Sequence, residues 1–218
     1  MALNASGAIS LAGSTTGESI ASELGLGSTT AISLNDAAVR SLAGVASGAI
    51  IMPTNFHGKA YVVAGLYRRT YSGYHNELTN SFFASASQTA AAVDLNLGNY
   101  GSVPTSTSLQ WLGYFVPATT ETYTFYTNSD DGSYIWVGAT AVSGFTRAAA
   151  LVDNGDGHGT QERQGSIALT SGVKYAFRMQ TGNGGGPGDH RTSWSSPSLG
   201  RTDNFAGRVF HSPTTLGL

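Results

Sequence analysis

The sequence predicts an all-β sandwich from residue 61 onward, preceded by a small, mixed and partly helical segment over residues 1–60. Three observations carry that reading. After Tyr61, apolar and polar residues alternate with period two in several runs, the pattern of strands with one buried face. Charged residues make up only 11% of the chain while glycines number 29, a balance that favours short strands and tight turns over helices. All 10 tyrosines and all 3 tryptophans lie at or beyond Tyr61, so the large side chains that build a core are concentrated there. A chain of 218 residues has room for one large domain with a small appendage.

Within the first segment, Ile9-Ser10-Leu11 reads as a short extended piece followed by a polar turn. Glu18 to Leu24 reads as a short helix stopped by Gly25. Asn35-Asp36 precede a second, Ala37 to Ala43, which Gly44 ends. Neither helix is long enough to stand alone, so this segment gains its order by packing on the rest of the chain or on a partner. Beyond Tyr61, Leu109 to Val116 and Tyr134 to Val137 are apolar enough for central strands. Tyr123, Phe125 and Thr127 alternate with Thr124 and Tyr126. Val173, Tyr175, Phe177 and Met179 form a buried face, with Lys174, Ala176, Arg178 and Gln180 on a wet one. Glycine- and asparagine-rich breaks separate the runs, and no fixed-period repeat is present.

Composition narrows the function. A net charge of −2 offers no basic footprint for nucleic acid and no polybasic patch for a membrane surface. No apolar run approaches the ~18–20 residues of a span, so membrane insertion is not expected. There is no cysteine, and stability rests on packing, with help from a metal or from oligomerisation. The N-terminus lacks the charged and apolar regions of a secretory signal, so an extracellular role is expected to come by release inside an assembled particle. Catalysis is not expected. The chain has no Gly-x-Ser-x-Gly elbow, no His-Glu-x-x-His and no phosphate loop. Its one pair of adjacent aspartates cannot face each other across a bond at the ~5–10 Å that a glycosidase needs.

Several motifs occur in a fixed order: Gly65-Leu66-Tyr67-Arg68-Arg69-Thr70-Tyr71-Ser72-Gly73-Tyr74 with Phe82-Phe83 after it, then Gly113-Tyr114-Phe115-Val116-Pro117 and Glu121-Thr122-Tyr123-Thr124-Phe125. Ser129-Asp130-Asp131-Gly132-Ser133-Tyr134-Ile135-Trp136-Val137-Gly138 follows, then Leu169 to Tyr175, Asn183-Gly184-Gly185-Gly186 and Ser193-Trp194. This series resembles PA14 and GLEYA domains, first in their opening strand, then in a central hairpin at residues 113–125, then in the Asp-Asp signature. The Ile135-Trp136-Val137-Gly138 tail leans toward the GLEYA branch. The resemblance implies a PA14/GLEYA-like β-sandwich over 61–218 that binds carbohydrate. Residues 32–59, with Ile32-Ser33-Leu34-Asn35-Asp36, Leu42-Ala43-Gly44-Val45 and Phe56-His57-Gly58-Lys59, resemble an N-terminal module of tail-associated virion proteins of tailed phages, including cyanophages.

Two adjacent carboxylates ionise together only if a cation or several donors offset their repulsion, and Gly132 permits the turn that aims them at one point. Calcium takes six to eight oxygens, some of which sugar hydroxyls can supply. A plain structural turn with no ion is the competing reading of Asp130-Asp131-Gly132-Ser133. In yeast adhesins of the resembled fold, the paired Asp motif contains a cis peptide and holds calcium and sugar, with an Asn in a later loop as partner. The implied metal ligands are therefore Asp130, Asp131 and Asn183. Arg178, Gln180, Asp189, His190 and Trp194 are candidate sugar contacts, and Asp153 to His158 reads as a solvated loop. Together these imply a phage virion protein, tail fibre or tail-associated. Residues 1–60 would attach it to other virion proteins, and the lectin-like domain would take a host-surface glycan with Ca2+. A fibre role is compatible with a homotrimer, although no heptads demand one. The rivals are a baseplate, neck or capsid decoration protein with no glycan ligand, a cell-surface adhesin, and a glycan-processing enzyme that uses the fold as a binding accessory.

Overall fold

The protein is described by a computed structural model covering residues 2–59, 61–74, 80–186 and 188–212. The chain divides into two compact units, residues up to 63 with Ser212, and residues 64–211. No helix among the described residues is long and apolar enough to cross a membrane.

The first unit has two short helices, α1 (Ile20–Glu23) and α2 (Ala37–Ala43). Ser19 caps α1 by accepting the Ser22 N–H at 3.2 Å, and Gly44 closes α2 in the left-handed region with φ 72°. Asp36 occupies the N-cap of α2 but spends its carboxylate on the Ser33 N–H instead. Helices this short are held by burial, and Ile20, Val39, Leu42, Phe56 and Leu3 form the core that holds them. The buried Glu23 carboxylate accepts the Tyr61 N–H at 2.9 Å.

The second unit is a two-sheet sandwich. Its strands are β1 (Val63–Ala64), β2 (Leu66–Ser72), β3 (Gln88–Asp94), β4 (Asn99–Gly101), β5 (Thr107–Phe115), β6 (Glu121–Asp130) and β7 (Ser133–Val137). Then come β8 (Val152–Asn154), β9 (Gln161–Leu169), β10 (Tyr175–Asn183), β11 (Asp189–Ser196), β12 (Gly200–Thr202) and β13 (Val209–His211). One sheet runs β1-β13-β5-β10-β7-β8, with β2 beside β5 and β3 beside β2; the other runs β12-β11-β6-β9, with β4 beside β11. Their inner faces meet at Phe115, whose ring centroid lies 5.0 Å from Phe125, 5.6 Å from Tyr123 and 5.7 Å from Trp194. Aromatic rings in such edge-to-face contact bury large apolar areas and fix the spacing of the sheets.

Period two holds along β6, where Tyr123, Phe125, Thr127 and Ser129 are buried and the residues between them are not. The expected hairpin over 113–125 is instead a crossing. Both edges of β5 are already occupied, by β10 on one side and by β2 and β13 on the other. The chain therefore turns at Pro117 into the opposite sheet, where β6 pairs with β9 and β11. The Tyr123 hydroxyl holds that turn by accepting the Ala118 and Thr119 N–H groups, each at 3.1 Å.

The wet face expected of β10 is also covered. A second apolar cluster of Tyr134, Trp136, Ala141, Phe145 and Ala176 lies over that side of the larger sheet. It includes α4 (Ala139–Val142), while Phe82 and Phe83 from α3 (Asn80–Ser85) pack against it. Arg178 is buried beneath this cover, donating from Nε to the Ala141 carbonyl at 2.8 Å with its guanidinium 3.7 Å above the Phe145 ring. Burial, and then the neighbouring charge of Arg69, lower its pKa to about 10. Gln180 is 0% exposed on the same strand.

His190 is likewise interior. Its ring stacks on Trp111 at 5.7 Å, Nε2 meets Thr192 Oγ1 at 2.8 Å, and burial pushes its pKa down to about 3. Because the folded pKa lies below the unfolded one, only the unfolded chain takes up this proton as pH falls below about 6.5. Stability is therefore expected to be fully present above pH ~6.5 and to fall toward pH ~4.5 with a slope approaching about 1.4 kcal/mol per pH unit from this group. Denaturant unfolding at a series of pH values checks this; an unchanged slope in His190→Gln would contradict it.

Candidate functional site

Three connections between the sheets meet at one end of the sandwich. β6 passes to β7 through Asp131-Gly132, β8 passes to β9 through residues 155–160, and β10 passes to β11 through residues 184–188, of which Pro187 lies outside the described residues. The first and third run side by side because their strands are paired in both sheets. Asp130 faces Asp189 in the smaller sheet, and Ser133 faces Thr181 in the larger. The Gly182 N–H donates to the Gly132 carbonyl at 3.1 Å between them. The Asp130–Asp131 peptide is cis, as the resemblance implied.

Asp131 laces the three connections together. Its Oδ1 accepts the His158 N–H at 3.0 Å and its Oδ2 accepts the Gly184 N–H at 2.9 Å. Peptide groups at a sheet crossing have lost their ladder partners, and an ionised carboxylate is a strong replacement. Asp130 continues the outward parity of Tyr126 and Asn128, and no donor among the described residues reaches its carboxylate. Beneath the corner lies a buried hydroxyl layer. Ser133 Oγ meets Thr127 Oγ1 at 2.8 Å and Ser129 Oγ at 2.7 Å, and Asn154 Nδ2 donates to Ser129 Oγ at 3.0 Å.

Asn183 is buried and clamped. Its Nδ2 donates to the carbonyls of Val103 at 2.8 Å and Gly186 at 3.1 Å, which turns Oδ1 toward the Gly185 N–H at 3.0 Å. A Cβ at Gly188 would lie 2.5 Å from both Asn183 Nδ2 and the Val103 oxygen, so the clamp requires glycine there. The Tyr74 ring lies against the bare backbone of Gly182 and Gly184, where an added Cβ would come within 2.7 Å of it. Burial, then the charge of Asp131, raise the Tyr74 phenol to about 12, which keeps it protonated. The loop after β8 is braced rather than merely solvated. Arg147 donates from Nε to Asp153 at 2.8 Å and from both terminal nitrogens to Asp156 at 2.8 and 2.9 Å. These bonds raise the Arg147 pKa, and the same guanidinium lowers that of Asp156.

The structure thus brings Asp130, Asp131 and Asn183 to one corner. It places Asp189 on the outer face of the smaller sheet, with its carboxylate 3.5 Å from Arg191 Nε. Arg178, Gln180, His190 and Trp194 are interior, so the sugar contacts expected of them give way to packing. Trp194 is 4% exposed, stands among Tyr123, Phe115 and Phe205, and donates Nε1–H to the Asn204 carbonyl. Sequence reading missed Tyr74 and the His158 N–H as parts of the corner. The available signal was Gly182 and Gly184 on either side of Asn183, two bare alternate positions that leave room for a ring. Among the described residues no three His, Cys, Asp or Glu side chains converge. A cation here would draw on the two aspartates, Asn183 Oδ1 and backbone carbonyls, an all-oxygen set of the kind calcium takes, and the residues fit such an ion.

The two aspartates carry different structural burdens. Without calcium, Asp131→Ala is expected to lower stability by about 1.5–3 kcal/mol, since two backbone donors lose a charged acceptor. Asp130→Ala is expected to cost less than about 0.5 kcal/mol. Equal losses in denaturant unfolding would contradict this division.

Comparison with known proteins agrees with the architecture. Residues 107–195, from the start of β5 to near the end of β11, match the GLEYA domain. The anti-sigma-I factor RsgI3 of Acetivibrio thermocellus is 32% identical over 91 residues, a match covering 42% of this chain and 13% of that protein. The chain therefore spans a small part of that relative. The A domain of epithelial adhesin 6 from Candida glabrata, solved with Galb1-3GlcNAc, is 16% identical, with a TM-score of 0.56 over 68% of this chain and 87% of that one. A PA14 sugar-binding domain from an RTX adhesin is 19% identical, with a TM-score of 0.54 over 68% and 99%. Residues 64–211 thus fold as a PA14/GLEYA-like β-sandwich, with the Asp130–Asp131 corner inside the stretch that matches the GLEYA domain.

Proposed function

We propose that this protein is a virion component of a tailed phage, tail fibre or tail-associated, whose sandwich binds a host-surface glycan at the Asp130–Asp131 corner with calcium. The single observation that carries the binding reading is the outward Asp130 carboxylate, which no donor among the described residues reaches, beside an Asp131 held by two backbone N–H groups. That is an acceptor set aside from the fold's own needs. Asp130, Asp131 and Asn183 would hold the ion. When bound, calcium supplies open coordination positions for sugar hydroxyls. The chain's part is to hold the acceptors in place through the clamped Asn183 and the glycine loop. The GLEYA match, the adhesin solved with a disaccharide and the sugar-binding PA14 domain support a carbohydrate ligand.

The proposed role is binding without catalysis, because both aspartates belong to one turn and the nearby Arg147 is engaged by Asp153 and Asp156. The virion assignment and its location rest on the likeness of residues 1–60 to tail-associated modules. The same segment would bind other virion proteins, and a homotrimer suits a fibre. A cell-surface adhesin is the second reading, favoured by the adhesin domains that share the fold.

Two measurements test these points. Adding millimolar calcium to chelated protein is expected to raise its melting temperature and to restore binding on a glycan array, and Asp130→Ala is expected to remove both effects. No glycan signal with calcium present would sink the lectin reading. Deleting residues 1–60 is expected to abolish incorporation into phage particles while the remaining sandwich stays folded by circular dichroism; undiminished incorporation would remove the attachment role.

A further inference from the structure

The outer face of the smaller sheet carries a groove that the calcium corner does not use. Along β6 and β11 the outward positions are in register, Asp130 opposite Asp189, Asn128 opposite Arg191 and Tyr126 opposite Ser193. β9 sets Glu162 beside Asn128, and β4 sets Asn99 beside Arg191. One rung across four strands therefore reads Glu162, Asn128, Arg191, Asn99. These residues line a cavity of about 770 Å³, within the ~300–1,000 Å³ of small-molecule sites.

Its wall is built. Arg201 reaches from β12 across the Tyr126 ring, 3.9 Å from its centroid, and grips Glu162 with two bonds of 3.1 and 2.5 Å while Nε donates to Ser193 Oγ at 2.9 Å. Glu162 holds the Arg201 guanidinium charged, its pKa raised further by those bonds. The floor and far side remain uncommitted. Among the described residues the amides of Asn128 and Asn99 and the carboxylate of Asp203 have no hydrogen-bond partner, and Asp189 reaches Arg191 only at 3.5 Å.

The chemistry of the lining selects its ligand. Arg191 and Arg201 stand against Glu162, Asp189 and Asp203, an excess of one carboxylate that gives no attraction for a polyanion. The polar lining offers nothing to a lipid or an aromatic drug-like molecule. Alternating amides, carboxylates and guanidinium offer donors and acceptors side by side, and a sugar hydroxyl needs both at once. We infer that this groove is a second carbohydrate site, taking a neutral oligosaccharide and working without a cation. It does not rest on the calcium reading, because Asp130, Asp131 and Asn183, which would hold the ion, do not line it, although Asp130 faces the lining residue Asp189 across the strand pair.

The test titrates the full chain, in excess chelator, with lactose, N-acetyllactosamine, mannobiose and maltotriose, read by saturation-transfer NMR and calorimetry. At least one sugar is expected to bind in chelator, to weaken about tenfold or more in Asn128→Ala and in Arg191→Ala, and to be unchanged in Asp130→Ala. Both groove positions face solvent, and an unaltered unfolding midpoint confirms each variant is folded; Asn99→Ala serves if one is not. Binding that appears only with calcium, binding indifferent to the groove variants, or no binding by any of the four sugars in chelator each overturns the proposal. The first of these leaves the calcium corner standing.

Discussion

The open end of the sandwich depends on one carboxylate. Three connections leave one sheet for the other there, and each crossing strips peptide groups of their ladder partners. Asp131 meets two of those donors on two different connections, so a single charged group sets the spacing of loops that are 27 and 53 residues away in sequence. Around it, small residues make the approach possible. Gly182 and Gly184 admit the Tyr74 ring, and Gly188 admits the Asn183 amide.

The two broad faces of the sandwich have been put to different uses. Over the larger sheet, Phe82, Phe83, Trp136, Phe145 and Ala176 make a second small core that seals in Arg178 and Gln180. Over the smaller sheet nothing comparable is laid down among the described residues, and the outward rows carry hydroxyls, amides and charged groups. Strand pattern alone does not foretell this asymmetry, because a covered sheet and a naked one begin from the same backbone.

That difference explains what could be read from the residues. The alternation in β6 is visible because one of its faces stays open. In β10 the same alternation is present in the letters but hides a strand buried on both sides, since the cover comes from α4 and the chain near Phe145, far away in sequence. A turn at Pro117 serves a hairpin or a crossing equally well, and only the full occupation of both edges of β5 decides between them. The Asp130–Asp131 pair and Asn183 were legible because their chemistry resides in side chains. The donors that Asp131 binds were not, because a backbone N–H carries no letter of its own. Tyr74 lay in plain view as the end of a strand, and its place against two glycines follows only from the register of the folded sheets.

The lacing of the crossings has a thermodynamic consequence. Loops whose ends are paired in both sheets and whose middles are pinned by Asp131 and Asn183 have little conformational freedom left to surrender. A ligand meeting them would pay mainly for its own immobilisation, not for ordering the protein, so modest contact area could still translate into useful affinity. Pre-organisation of this kind would also favour partners whose shape already matches, and would make the corner a selective surface before any contact is formed.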